Sequence, residues 1–257
     1  AQEGNIEAFA SEEFRNKFFK DLDFNHAKLD KEGKTYGPVS LNTQQTLLTG
    51  LTPYELHDLT LINCQAFNYP FLQKFQIQNL THVNLTGCSG VTSQVAIYFS
   101  EKCDGLISLD LSRSPNLTYV AGRTLIFPTL PFPNLKKLVV NQCSQLSQIN
   151  IKADQLLLLE AQDNPNLSIL KVQSETLKTV NISKNSKMTD QVLDELGETT
   201  PSLTTIFCKE CPQLADKKRR QQFPLFSQTL VNKENLEKIE QACERKLTKL
   251  ELSYYNK

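Results

Sequence analysis

Residues 135–143 read Leu-Lys-Lys-Leu-Val-Val-Asn-Gln-Cys, with apolar side chains at the first, fourth and sixth positions. Successive side chains of a strand point to opposite faces, so Leu138 and Val140 are expected on one face of a short strand. The ninth residue, Cys143, falls where the chain must leave that strand and turn inward. The stretch therefore predicts a strand with one buried face, followed by a buried turn.

The same pattern, Leu-x-x-Leu-x-Leu-x-x-Cys/Asn, occurs seven times in order, with other aliphatic residues in place of some leucines. We call its ninth position the slot; it holds Cys64, Cys88, Ser114, Cys143, Asn164, Asn185 and Cys211. Successive slots are 24, 26, 29, 21, 21 and 26 residues apart. Leucine-rich repeats have periods of roughly 20–29 residues. Each repeat leaves an apolar face that only a stacked neighbour can cover, and a slot side chain can bond the buried turn backbone.

These observations predict an α/β fold: a leucine-rich-repeat solenoid, or horseshoe, with a concave parallel sheet and helical caps at both ends. Three regions follow, with an N-terminal helical cap over residues 1–53, about seven repeats over 54–215, and a C-terminal helical cap or extension over 216–257. Apolar residues of 9–24 have nearly helical spacing, and 41–51 is expected to form another short helix. The N-terminal helix caps the first repeat or, as the alternative, binds a partner.

The C-terminal region contains Leu236, Ile239, Cys243, Leu247 and Leu250, spaced 3, 4, 4 and 3 residues apart. This spacing predicts a helix with one apolar stripe. We expect it to cap the array or fold back on it. Dimerisation and the start of a truncated further domain are the alternatives.

Some repeats resemble the cysteine-containing subfamily of leucine-rich repeats, as in Cys103-x-x-Leu106-x-x-Leu109-x-Leu111. Thr92 and Thr189 precede helical patterns and are predicted helix N-caps. The two 21-residue units leave no room for a long helix, so their convex side should be extended or turn-like. The prolines at 128, 131 and 133 of the third unit predict a bulging loop after a short helix.

Composition excludes several classes of partner. Lys and Arg total 28, as do Asp and Glu, so no global footprint for nucleic acid exists. The sequence contains no run of 18 apolar residues, so no membrane span is predicted. Ala1–Ala10 lack the features of a signal peptide. A removed leader or a trimmed chain is the alternative. The odd number of cysteines, 7, favours buried thiols in a reducing compartment. We expect a cytoplasmic monomer.

Residues that resemble catalytic or metal sites have structural explanations. Cys208 and Cys211 form a Cys-x-x-Cys, but no second ligand pair follows at zinc-site spacing, and the repeat pattern explains both. His57 and His82 fall on outward positions of neighbouring strands, so a metal or acid–base pair is the alternative to partner contact. The basic run 217–220 is expected to be a solvated connector. We therefore expect no enzyme activity, no cofactor and no metal.

The strand residues between the buried leucines predict a concave face that binds a protein ligand. The predicted contacts are Asp58, Thr60, His82, Asn84, Asp110, Lys137, Val139, Leu158, Glu160, Asn181 and Phe207. We expect Val139, Leu157, Leu158 and Phe207 to be exposed there, because apolar anchors within a charged rim are typical of interfaces. The alternative is that a capping helix or the third-repeat loop covers some of them.

The mixture of cysteine-type and short repeats, in a chain rich in Asn, Gln and Lys, resembles secreted leucine-rich-repeat effectors of intracellular bacteria such as Legionella. The resemblance covers roughly residues 54–215. It implies a virulence effector that is secreted into the host cytosol and binds a eukaryotic protein. The alternative is a substrate-recognition adaptor of a ubiquitin ligase complex, although residues 1–50 show no convincing F-box, so that reading rests on analogy.

Overall fold

The computed structural model describes residues 22–23, 41–52, 56–122, 129–214 and 225–226. The strands are β1 (Leu22–Asp23), β2 (Asp58–Ile62), β3 (His82–Asn84), β4 (Ser108–Asp110), β5 (Tyr119–Val120), β6 (Leu130–Pro131), β7 (Lys137–Val139), β8 (Gln148–Lys152), β9 (Leu158–Glu160), β10 (Ile169–Gln173), β11 (Thr179–Asn181), β12 (Thr205–Phe207) and β13 (Leu225–Phe226). The helices are α1 (Leu41–Leu51), α2 (Tyr69–Leu72), α3 (Ser93–Lys102) and α4 (Gln191–Thr199).

The protein has an α/β fold built on parallel strands, as the sequence predicts. The main sheet has nine strands in the order β1-β2-β3-β4-β7-β9-β11-β12-β13, and every neighbouring pair is parallel. The strands of the seven motif copies are consecutive in this order. A second parallel sheet has the order β10-β8-β5, with β6 also beside β8.

The register of the main sheet places equivalent motif positions side by side. The central apolar residues form one row across the seven motif strands: Leu59, Val83, Leu109, Leu138, Leu159, Val180 and Ile206. All seven are buried in one continuous core with Val120, Ile149 and Leu170 of the second sheet. Because each apolar row is completed only by its neighbours, burial depends on stacking rather than on any single repeat.

Five of the seven slot side chains, at Cys88, Cys143, Asn164, Asn185 and Cys211, bond to backbone groups, as predicted. The Cys88 sulfur donates to the Leu61 carbonyl at 2.9 Å, and the Cys211 sulfur donates to the Ile182 carbonyl at 3.0 Å. An asparagine slot does more, because its amide also accepts: Asn164 Nδ2 donates to the Val140 carbonyl, while its Oδ1 accepts from the Cys143 amide. Each such bond links one motif copy to another.

The residue before every slot has a left-handed backbone, a feature the sequence analysis missed. Its φ lies between 54° and 74° in all seven copies, at Asn63, Gly87, Arg113, Gln142, Asp163, Lys184 and Glu210. Only one of these is glycine, although other residues adopt this conformation at a cost of about 1 kcal/mol or more. The amides of six of the seven donate to the next copy, as from Lys184 to the Lys209 carbonyl at 2.7 Å, which offsets part of that cost.

Ser114 is the slot residue whose side chain makes no hydrogen bond. Its hydroxyl is buried and has no hydrogen-bond partner, because a C–O bond is shorter than a C–S bond and the side chain lacks the reach of cysteine. We expect Ser114→Cys to raise the free energy of unfolding by about 1 kcal/mol, because the longer side chain would donate to the Leu85 carbonyl in addition to the Cys88 amide, which donates to it at 3.1 Å. Urea denaturation would measure this. Ser144→Cys, at an exposed position, is the matched control, and an equal effect of both variants would contradict the explanation.

The helices agree with the sequence predictions in part. Helix α1 confirms the prediction for 41–51. The 21-residue units contain the extended strands β8 and β10 between successive strands of the main sheet, as predicted. Thr92 is the N-cap of α3 but makes no capping hydrogen bond, whereas Asp190, not Thr189, is the N-cap of α4.

One predicted helix is wrong where the structure describes it, and another is described only in part. Leu22–Asp23, the end of the predicted helix 9–24, is a strand paired with β2, since the edge of the main sheet offers unpaired backbone groups. In the third unit, residues 112–122 contain strand β5, and the short helix predicted before the prolines is not among them. Four predicted features lie outside the described residues: the remainder of 9–24, the predicted loop at 123–128, the basic run 217–220 and the C-terminal helix.

Candidate functional site

The predicted binding residues lie on one face of the main sheet, opposite the buried leucine row. We call this the outward face. One of its columns contains Asp58, His82, Ser108, Lys137, Leu158, Thr179 and Thr205, and the other contains Thr60, Asn84, Asp110, Val139, Glu160, Asn181 and Phe207. The parallel register aligns each column across seven strands. All eleven predicted contacts belong to these columns.

The end of the outward face formed by β2, β3 and β4 is partly open. Asp58 is exposed, and Thr60, His82, Asn84 and Asp110 are half-buried. The imidazole Nδ1 of His82 lies 3.1 Å from Asp58 Oδ1 and 2.9 Å from the Thr81 hydroxyl. The His82 ring thus contacts the neighbouring carboxylate and hydroxyl, which gives this end of the face a polar, hydrogen-bonded surface.

The centre of the outward face is buried. Only 1% of Leu158, 3% of Glu160, 6% of Val139 and 7% of Lys137 is exposed. The prediction that Val139 and Leu158 are exposed is therefore wrong, while Phe207 is half-buried. A side chain on the outer side of a sheet keeps its tip in water unless more polypeptide covers it, and the repeat pattern carries no information about such a cover.

Several polar residues of the second column have a local structural role. The side-chain oxygens of Asn84, Asp110 and Asn181 accept from the backbone amide two residues later, at 3.0, 2.9 and 3.1 Å. These contacts are the Asx turns that Asn and Asp form readily, and they close the exit from each strand. Asn181 Nδ2 also donates to Glu160 Oε2 at 3.0 Å, so the buried carboxylate has a hydrogen-bonded partner.

The cysteines carry none of the features of a reactive site. All six in the described residues are buried and outside any disulfide, as predicted for Cys64, Cys88, Cys103, Cys143, Cys208 and Cys211. Burial raises the pKa of Cys64 to about 11 and those of Cys103 and Cys143 to about 12. A thiol is nucleophilic as its thiolate, so these three are neutral and inert at physiological pH.

This pKa shift predicts a loss of stability at alkaline pH. The folded chain keeps these thiols protonated, while the unfolded chain loses their protons above the ordinary thiol pKa of 9.0. The stabilisation is therefore complete below pH 9 and declines as pH rises toward the folded pKa values.

The burial of the thiols also predicts how fast a thiol reagent reacts with them. Native labelling at pH 8 in a Cys243→Ser background should be slow at all six sites and become rapid in urea. Rapid labelling before unfolding would contradict the assignment.

The described residues contain no group of three or more His, Cys, Asp or Glu side chains that could hold a metal ion. Nor does any helix among them have the length and apolar character needed to cross a bilayer. No protein-family model matches the chain.

Proposed function

We propose that this protein is a leucine-rich-repeat solenoid, curved as a horseshoe, whose concave face binds a protein ligand. The support for the solenoid is that seven motif copies share one register in one parallel sheet and are linked by slot hydrogen bonds. In a horseshoe the outward face is the concave one. Stacked repeats create an extended surface of this kind without requiring a pocket.

The observation that carries the binding proposal is the alignment of two outward columns across seven parallel strands, which forms one extended face with apolar and charged side chains. Lys137, Val139, Leu158 and Glu160 combine two apolar side chains with two opposite charges, and all four are almost completely removed from solvent. Buried apolar groups beside satisfied polar ones are the chemistry of protein interfaces. A surface with this composition, when covered, is suited to polypeptide rather than to nucleic acid or a small polar metabolite.

The chemistry of the buried cysteines favours a binding protein over an enzyme that uses a thiol nucleophile. Burial holds the Cys64, Cys103 and Cys143 thiols in their neutral form at physiological pH, so they are poor nucleophiles. In keeping with the resemblance to bacterial effectors, we propose a eukaryotic host protein as the ligand. Its contacts would begin at the accessible parts of the face, namely Asp58, Thr60, His82 and Phe207.

A pair of matched substitutions tests the proposal. Phe207→Asp places a carboxylate on the outward face, whereas Ile169→Asp makes a similar change at an exposed position of the second sheet. After affinity purification identifies a ligand, binding is measured with both proteins purified. We expect Phe207→Asp to weaken binding at least tenfold, about 1.4 kcal/mol or more, and Ile169→Asp to have little effect. Unchanged binding by a folded Phe207→Asp variant would place the ligand elsewhere.

A further inference from the structure

We propose that a row of residues along one edge of the outward face binds an acidic amphipathic helix of the protein ligand. We call this the rim row, and it consists of Ile107, Lys136, Leu157, Lys178 and Thr204. The inference rests on the proposed function, because it gives the chemistry of a segment that the outward face would recognise. The row supports it by its continuity, its accessibility, its alternating chemistry and the distance between its two charges.

Backbone hydrogen bonds join the residues of the rim row one after another. The Lys136 amide donates to the Ile107 carbonyl at 2.8 Å, and the Leu157 amide donates to the Lys136 carbonyl at 2.8 Å. The Lys178 amide donates to the Leu157 carbonyl at 3.0 Å, and the Thr204 amide donates to the Lys178 carbonyl at 3.1 Å. Each residue stands one position before the first outward column, whose strands are in parallel register. The row is therefore a fixed edge of the main sheet.

The rim row is accessible to solvent, unlike the column beside it. Lys178 and Thr204 are exposed, and Ile107, Lys136 and Leu157 are half-buried. The five first-column residues that follow them in the chain are at most 9% exposed. A ligand can thus reach the side chains of the row without displacing any described residue.

Aliphatic and basic side chains alternate along the rim row. Neither Lys136 nor Lys178 forms an ion pair within the described residues, whereas Lys152, Lys171 and Lys209 each lie 3.5–4.0 Å from a carboxylate. Two positive charges on either side of Leu157 complement a ligand surface with two carboxylates and an apolar side chain between them. The methylene stems of the lysines extend the apolar strip, because such stems pack on apolar surface while the ammonium stays in water.

The aliphatic members of the rim row favour a polypeptide over a nucleic acid. A phosphate backbone would satisfy the two lysines, but it has no apolar group to cover Ile107 and Leu157. An acidic polypeptide supplies both kinds of contact, which is the combination that protein interfaces use.

The distance between the two lysines fits a helical ligand. Lys136 and Lys178 are two strand spacings apart, which is roughly 10 Å. In an α-helix, residues seven apart lie on one face at a separation of roughly 10.5 Å, and the residues three and four positions along lie between them. An extended strand places side chains of one face roughly 7 or 14 Å apart, which fits less well. A helix with acidic residues seven apart and an apolar residue between them would therefore contact Lys136, Leu157 and Lys178 together.

A synthetic helical peptide tests the assignment on the full-length chain. The probe is a labelled alanine-based peptide with two glutamates seven residues apart and two leucines between them on the same face. We expect the unmodified chain to bind it, as measured by fluorescence anisotropy, and Lys136→Glu with Lys178→Glu to weaken binding at least tenfold. Lys102→Glu with Lys184→Glu makes the same change in net charge at two exposed lysines outside the row, and should change the affinity less than twofold.

A charge swap separates recognition from a structural role of the two lysines. A peptide with lysines in place of its glutamates should bind the folded Lys136→Glu, Lys178→Glu variant and not the unmodified chain. If that variant does not fold, Lys136→Gln with Lys178→Gln, which removes the charges and keeps polar side chains, replaces it and should weaken binding of the acidic probe at least fivefold.

Four results would overturn the proposal: no binding of the acidic probe by the unmodified chain, equal weakening by the control variant, unchanged affinity of the glutamine variant, or no binding of the swapped peptide by the folded glutamate variant. Tighter binding of a single-stranded oligonucleotide that depends on the same two lysines would also overturn it, in favour of a phosphate backbone. The probe is not the natural ligand, so failure here would leave the proposed protein-binding function to the Phe207→Asp test.

Discussion

Replacing Asn185 with alanine should cause a large loss of stability, because this slot amide makes three buried hydrogen bonds. Its Nδ2 donates to the carbonyls of Ala161 and Ile182 at 2.7 and 2.8 Å, and its Oδ1 accepts from the Asn164 amide at 2.8 Å. Leaving buried backbone groups without partners costs about 1–3 kcal/mol each. We therefore expect the free energy of unfolding to fall by roughly 3 kcal/mol or more, measured by urea denaturation.

Two variants separate this explanation from a general effect of losing an asparagine. Asn166→Ala removes an amide that donates to the Ser144 carbonyl at the solvent-exposed rim of the fold, where water replaces it, so its effect should be below about 1 kcal/mol. Asn185→Cys keeps a donor, as at the cysteine slots, but loses the acceptor for the Asn164 amide. Its fall in the free energy of unfolding should lie between those of Asn185→Ala and Asn166→Ala. Equal losses for Asn185→Ala and Asn166→Ala would show that the slot bonds contribute little.

The sequence predicted the repeated part of the fold because repetition tests each assignment seven times. The Leu-x-Leu spacing placed the strands, their buried face and both outward columns correctly. It also identified the slot as the residue that bonds the turn. These features follow from local side-chain alternation and from the need of buried backbone groups for partners.

The features that sequence reasoning missed depend on backbone torsion or on distant segments. The left-handed residue before each slot was not recognised, because Arg113, Gln142, Lys184 and Glu210 are not residue types that signal a positive φ. One usable signal was present in the sequence. Asn or Asp stands at the last strand position of three motif copies, at 84, 110 and 181, and a side-chain oxygen there can accept from the amide two residues later to form an Asx turn. The burial of Leu158 had no local signal, because what covers the outward face is not part of the motif.

Leu158→Asp should therefore be strongly destabilising, whereas the sequence analysis treats this side chain as an exposed anchor. With 1% of Leu158 accessible, the substitution removes an apolar contribution of about 1.5–3 kcal/mol. It also places a carboxyl group where its charged form is poorly solvated. Together we expect a loss of roughly 4 kcal/mol at pH 7. Ile169→Asp, at a strand position that is 41% exposed, should cost far less.

The pH dependence of this loss distinguishes burial from simple loss of contact. Burial raises the pKa of an introduced carboxyl group, so the folded variant holds its proton at pH values where the unfolded chain has released it. The variant is consequently least destabilised below the ordinary aspartate pKa of about 3.9 and becomes less stable as pH rises through that value. Leu158→Asn, which removes the same contacts without a titrating group, should lack this trend relative to the unmodified chain. Unfolding curves for both variants at pH 4 and pH 7 would measure the difference. Parallel behaviour of the two, or a loss no greater than that of Ile169→Asp, would mean that the centre of the outward face is open to water.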